Sequence, residues 1–268
     1  MLVKSLKLVI VSLWALAVLG NVNPHSIDGR HSFSLSTFDT DGRLQQVENA
    51  VRASTLGVPI LICKCDETAD DEAIVFVSPH SHTLPSPLIR DVGTSRMIAI
   101  SSDIAIAHSG VGADGRVLLE ELQRIAVNHA YMYGEEIPID RLLYELTRLF
   151  QEYTIKPGAR PFGCTLVVAY LNSSKGIKEL YRVNPAGMAE AIEGRLGVLG
   201  KISSHAIVSS LEDDSELGND IEETVEKLIN TLKHEYQNKP SKEMNERSMS
   251  FMVGKFSKKS GFSTEIIR

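Results

Sequence analysis

Cysteine is scarce in this chain: three residues, Cys63, Cys65 and Cys164, among 268. Three cysteines do not make a disulfide framework. Cys63 and Cys65, with His80 and His82 downstream, supply donors a soft metal accepts, and a zinc site takes about four ligands. The pair alternates along an apolar, strand-like run, however, and the histidines sit in a loop-like Ser-Pro-His-Ser-His stretch. Core cysteines and solvated histidines are the better reading, so no metal is expected. Ten prolines and 19 glycines are too few for a fibrous or low-complexity chain. A net charge of −6 offers no electrostatic basis for binding nucleic acid or an anionic membrane. No internal repeat stands out. With 43% hydrophobic residues the chain can enclose one large domain with a sizeable core.

The first 20 residues differ from all that follow. Lys4 and Lys7 precede an apolar stretch from Leu8 to Leu19, interrupted only by Ser12, and Gly20 supplies a small residue before Asn-Val-Asn-Pro. A basic start, an apolar core of roughly 7–15 residues and a small exit residue describe a secretory signal. The run falls short of the about 20 residues a bilayer span takes. Residues 1–20 are therefore expected to direct the chain into the secretory pathway or an organelle reached through it, and to leave no stable membrane span once removed.

Beyond it, apolar spacing predicts a short helix over Arg43–Thr55. The runs Val58–Cys63 and Ala73–Val77, separated by the acidic turn Asp66–Glu72, predict a two-stranded hairpin. Ser78–Asp91, with three prolines, reads as a loop or edge segment. Strands are expected at Met97–Ile100 and Ile104–His108. Two helices follow: Val117, Leu118, Leu122, Ile125, Ala126, His129 and Tyr133 repeat with helical period, as do Ile139, Leu142, Leu146, Phe150 and Tyr153. Pro138 suits the first turn of the second, and the short connection makes the two antiparallel neighbours. Further strands are expected at Gly163–Leu171, Ile177–Val183 and Gly187–Ala191, then a helix over Ile221–His234, a solvated loop over Lys233–Arg247, and a strand at Ser250–Phe256. Strands, paired helices and strands in segregated runs predict an α+β layered domain, not an alternating parallel βαβ fold.

Gly110-Val-Gly112-Ala-Asp-Gly115 spells G-x-G-x-x-G between a strand and a helix. In a dinucleotide-binding fold this turn brings a helix N-terminus to a pyrophosphate. That fingerprint also needs an acidic residue about 20 positions on, after a further strand. Here Glu135 and Glu136 have the spacing but lie between two helices, so no cofactor is expected. A tight strand-to-helix turn accounts for the glycines, with Asp114 capping the first turn. Arg116 is then available for an acidic partner such as Asp114. Ser109 lacks the spacing of a nucleophile elbow, and neighbouring His108 would point to the opposite strand face. Cys164 reads as a core residue.

Four ordered segments together resemble one family. Phe38-Asp-Thr-Asp-Gly42-Arg43-Leu44-Gln-Gln46-Val47-Glu48-Asn-Ala50 resembles the proteasome α-subunit signature, roughly F-S-P-x-G-R-L-x-Q-V-E-Y-A. Ser109-Gly110-Val-Gly-Ala113-Asp114-Gly-Arg116 resembles its G-x-x-A-D-x-R. Tyr133-Gly134-Glu-Glu-Ile137-Pro138 resembles its Y-G-x-x-I-P, and Arg160-Pro161-Phe162-Gly163-Cys164 its R-P-F-G-C/V. A fifth, weaker match is Tyr181-Arg-Val-Asn184-Pro185-Ala-Gly187.

The resemblance implies a four-layer αββα sandwich of two antiparallel sheets flanked by helices. It also implies a non-catalytic α-ring subunit of the 20S core, which forms the gate admitting substrates and supports ubiquitin-dependent degradation. Its partners would be other α subunits, the β ring and regulatory particles. In domain terms, residues 21–37 would be a gate extension and 38–268 the α-type domain. Catalytic siblings expose an N-terminal threonine activated by its own amine. Here a helix precedes the first strand, and Gly57-Val58-Pro59 stands where Gly-Thr would be needed. An autoprocessed hydrolase of the same fold is the alternative. The family's Tyr-Asp-Arg gate motif falls at His31, Ser32 and Phe33, and the usual lysine is missing from Val75–His82. Family members ordinarily work in cytoplasm and nucleus, which sets the family's address against the signal-like segment.

Overall fold

The computed structural model describes residues 38, 41–66, 72–81, 96–156, 158–172, 176–202, 220–237, 249–257 and 259–267. Among these residues the elements run α1 (Gln45–Thr55), β1 (Ile60–Asp66), β2 (Glu72–Ser81), β3 (Met97–Ala99), β4 (Ile104–Gly110), α2 (Gly112–Tyr133) and α3 (Ile139–Ile155). Then come β5 (Cys164–Asn172), β6 (Ile177–Val183), β7 (Ala189–Ile192), β8 (Leu196–Leu199), α4 (Ile221–Gln237), β9 (Met249–Ser257) and β10 (Gly261–Ile267).

Two antiparallel five-stranded sheets result, ordered β10-β9-β2-β1-β8 and β3-β4-β5-β6-β7. The strands read as unbroken apolar runs because both of their faces are covered. In β1, Ile60 and Ile62 point into the space between the sheets, while Leu61, Cys63 and Cys65 point away from it toward α4. In β5, Val167, Ala169 and Leu171 point inward, and Cys164, Leu166 and Val168 point toward α2 and α3. Alternation with period two therefore fills three apolar layers at once. Between the sheets, Ala105, Ala107 and Ala169 of one sheet share a cluster with Ile62, Phe76 and Phe256 of the other, small residues accommodating large ones. Outside, α2 and α3 contribute Leu118, Leu122, Leu142, Leu146 and Phe150, and α4 contributes Val225, Leu228, Ile229 and Leu232. This is the expected four-layer αββα sandwich.

Several boundaries differ from expectation. The segment Ser78–Asp91, expected as a loop or edge segment, begins as strand paired on one side: Ser78 to Ser81 pair with Met252 to Met249 of β9. Pro79 is tolerated because pairing with β1 ends at Val77, so its missing N–H faces no partner on that side. Residues 82–95 lie outside the described set. α2 starts at Gly112, inside the glycine turn and ahead of the expected cap at Asp114. Pro138 is the N-cap of α3, one residue ahead of the first turn. The helix expected to end at His234 runs on through Glu235 to Gln237 as α4. β8 and β10 were not expected. β8 is only four residues long with a glycine inside it, too short to stand out as a strand, and most of β10 is half or fully exposed and carries no apolar signature of its own. Gly134 closes α2 in the left-handed conformation, φ 73°, its N–H donating to Ala130 O at 2.9 Å.

Candidate functional site

α1 is amphipathic in a narrow sense: only Ala50 and Ser54 are fully buried. That face rests on the ends of β4 and β5, where the chain is reduced to backbone. A Cβ on Gly57 would collide with the backbone nitrogen of Gly110. Gly110 has φ +116°, and a Cβ on it would collide with Gly163 O. Side chains at these positions would hold α1 off the sheet, so the glycines permit an approach that no other residue allows. Polar groups complete the seat. Thr165 Oγ1 donates to Ser54 Oγ at 2.9 Å, and Ser54 Oγ donates to Val51 O at 2.7 Å.

The start of β1 is tethered from three sides. Ser109 Oγ donates to Val58 O at 2.7 Å, Ser78 Oγ donates to Pro59 O at 3.1 Å, and Lys201 N donates to Gly57 O at 2.9 Å. Val58 is thus held in ordinary peptide linkage between Gly57 and Pro59 at the entry to β1. Nearby, burial pushes the Cys164 thiol up to about 12.

Behind the seat, Asp114 organises the R-P-F-G segment. Its carboxylate accepts two hydrogen bonds from Arg160, both at 2.7 Å, and one from Gly163 N at 2.8 Å. Burial alone would raise the Asp114 pKa, but the Arg160 and Gly163 hydrogen bonds outweigh it and hold the carboxyl below its ordinary value. Two expectations are corrected here. Val111, not Asp114, is the N-cap of α2, without a side-chain bond. The partner of Asp114 is Arg160, 46 residues away, while Arg116 is exposed. Phe162 is buried, stacked on Tyr153 with ring centroids 4.3 Å apart and edge-on to Phe150 at 5.8 Å. It carries the Asp114 anchor into the α3 core.

His108 lies beneath the first turn of α2, 2% exposed, against the bare backbone of Gly115. It faces away from Ser109, as strand alternation requires. Its Nδ1 has no hydrogen-bond partner among the described residues. Burial, followed by the charges of Arg96 and Arg116, lowers its pKa to about 4.

The signature residues thus fall into two groups. Gly110, Ala113, Asp114, Arg116, Arg160, Pro161, Phe162 and Gly163 converge where β4, α2 and β5 meet. Phe38, Gly42, Arg43, Gln46, Val47 and Glu48 belong to α1 and its approach: Phe38 is 65% exposed, Gly42 turns the chain with φ 76°, and Arg43 pairs with Glu48 at 3.5 Å in solvent. His31, Ser32 and Phe33 lie outside the described residues. Asn184 and Gly187, from the fifth match, form the β6–β7 turn. Asn184 Oδ1 accepts from Ala186 N and Met188 N, and Gly187 abuts the α3 backbone at Thr147. Sequence reasoning missed Ser54, Thr165 and the Lys201 tether. No local pattern marks them, since their partners lie many residues away in sequence.

Two antiparallel sheets between helical layers, with a helix seated across the start of the first strand, define a four-layer αββα sandwich. The sequence profile of the proteasome subunit family matches residues 69–247. Among curated proteins, the chain is 30% identical over 213 residues to proteasome subunit alpha type-2 of Oryza sativa subsp. indica, covering 78% of this chain and 84% of that protein. It is 33% identical over 156 residues to proteasome subunit alpha type-2 of Trypanosoma brucei brucei, covering 58% and 64%. With the Drosophila melanogaster alpha type-2 subunit it shares 30% over 214 residues, 78% and 85%. The chain belongs to the proteasome subunit family, as a structural subunit of the α type.

Proposed function

We propose that this chain fills the type-2 position in the α ring of a proteasome core, without proteolytic activity of its own in a complex whose β subunits carry threonine nucleophiles. The relatives support the position, because those described above are named alpha type-2. The observation that carries the non-catalytic role is the continuous passage from α1 through Gly57-Val58-Pro59 into β1, pinned by Ser109, Ser78 and Lys201. Its partners are neighbouring α subunits and the β ring, with regulatory particles docking above. The residues preceding α1 serve the gate that admits unfolded substrates, in support of ubiquitin-dependent degradation, through His31, Ser32 and Phe33 in place of the family's usual motif.

Co-expression with sibling α and β subunits, followed by native mass spectrometry, tests the assignment. One copy per α ring is expected. A chain that stays monomeric both alone and with its siblings refutes it, as does recovery of a processed chain beginning at Thr, Ser or Cys with peptidase activity. For its address, residues 1–20 direct the protein into the secretory pathway or an organelle reached through it. A fusion of the first 30 residues to a fluorescent protein should leave the cytosol. Retention there would return the subunit to the usual cytoplasmic and nuclear location.

A further inference from the structure

Beside α1, where the edge strands β7 and β8 of the two sheets approach, the sandwich is open. A cavity of about 590 Å³ lies there, within the size range of small-molecule sites. Ile192, Leu196 and Leu199 give it apolar walls, and Ser54 and Thr165 belong to its α1 and β5 side. No acidic side chain is among its lining residues, whereas Arg182 and Lys201 are.

The hydrogen-bond inventory settles which part of a ligand goes where. Ser54 has committed its proton to Val51 O, and Thr165 has committed its proton to Ser54. That side therefore offers lone pairs and repels an anion. Arg182 is engaged through Nε and a terminal nitrogen with Glu190. Lys201 is exposed and makes no ion pair among the described residues. Its backbone is held, because its N–H donates to Gly57 O and the preceding Gly200, φ +77°, turns the chain tightly over Val58. A fixed backbone carrying one uncompensated ammonium next to an apolar hollow suits a ligand with an apolar body and a single carboxylate.

We infer that this cavity binds apolar monocarboxylates, with the body against Ile192, Leu196 and Leu199 and the carboxylate on Lys201. The chemistry is common to a medium-chain fatty acid and to the free carboxylate of a short apolar peptide. All of the named lining residues belong to this one chain, and the test below reads ligand binding and not ring assembly, so its failure and failure of the subunit assignment are separate results.

The test is calorimetric titration of the full chain with decanoate and with N-acetyl-Ala-Ala-Leu, each beside its carboxamide. At least one carboxylate should bind, at least tenfold tighter than its amide, and which one binds identifies the source. Lys201→Glu should weaken binding at least tenfold and Lys201→Arg less than threefold, with amide NMR shifts at Gly197, Gly200 and Lys201 locating the ligand. Because Lys201 is exposed, unchanged melting temperatures should accompany both substitutions. Absence of binding by both carboxylates at millimolar concentration, or binding that Lys201→Glu leaves unchanged, overturns the inference.

Discussion

Arg160 closes a two-point ion pair onto Asp114, with both nitrogen–oxygen distances at 2.7 Å, and the same carboxylate takes the N–H of Gly163. Two signature segments are thereby joined at the place where α1 is seated. Asp114→Asn and Arg160→Ala should each lower stability by about 1–3 kcal/mol, the range for hydrogen bonds to charged groups, with the lower end favoured by the exposure of Arg160. Urea unfolding midpoints measure this, and equality with wild type would show the pair to be idle. Because the folded-state pKa of Asp114 is lowered, its contribution is present above the ordinary carboxylate value of 3.8 and is lost as pH falls through the folded value.

His108 acts on a different pH window. Its folded pKa of about 4 lies below the ordinary 6.5, so the unfolded chain binds the proton more readily. The stability difference is fully present above 6.5 and declines as pH falls toward 4, by about 3 kcal/mol at most given about 1.4 kcal/mol per unit. The charges of Arg96 and Arg116 add to the cost of a charge there. His108→Leu should flatten the stability profile between pH 6.5 and 4. An identical slope in wild type and variant would exclude His108 as its source.

Two glycines in the same region should respond oppositely. Gly57→Ala places a Cβ on the Gly110 backbone and should cost several kcal/mol, on the order of the upper range for overpacking, by displacing α1. Gly112→Ala meets nothing within 4 Å at the start of α2 and should be neutral or stabilising by up to about 1 kcal/mol. Thermal melts distinguish them. Hydrogen exchange in Gly57→Ala should rise first in α1, and a uniform rise across the sandwich would count against a local seat.

The thiols should be silent in the native protein. Cys63, Cys65 and Cys164 are all free and buried, and burial drives Cys164 up to about 12. Ellman's reagent should label none of the three in native buffer and all three after unfolding. Rapid native labelling of Cys164 would contradict its place in the core.

Most elements of the sandwich were legible in the sequence because each carried its own periodicity. Ile60, Ile62, Ile74 and Phe76 could be placed on strands, and Leu142, Leu146 and Phe150 on one helix face, without knowing what they touched. β8 and β10 were not legible, because Leu196 to Leu199 and Gly261 to Ile267 become strands only through pairing with β1 and β9. Proline content left Ser78 to Ser81 open between loop and edge, and the one-sided ladder to β9 decides for edge.

The passage from α1 into β1 divides the same way. Sequence order alone determined that a helix precedes β1 and that valine, not threonine, follows Gly57, since both are facts of linear position. It also determined the signature residues and their order. Tertiary structure decided their partners: Asp114 with Arg160 instead of Arg116, Ser109 with Val58, and Gly57 against Gly110. Those pairs are separated by 46 to 53 positions in the chain. Pairing of β4 with β5 brings Asp114 to Arg160, and the approach of the two sheets brings Ser109 to Val58 and Gly57 to Gly110, so no local pattern of residues could encode them.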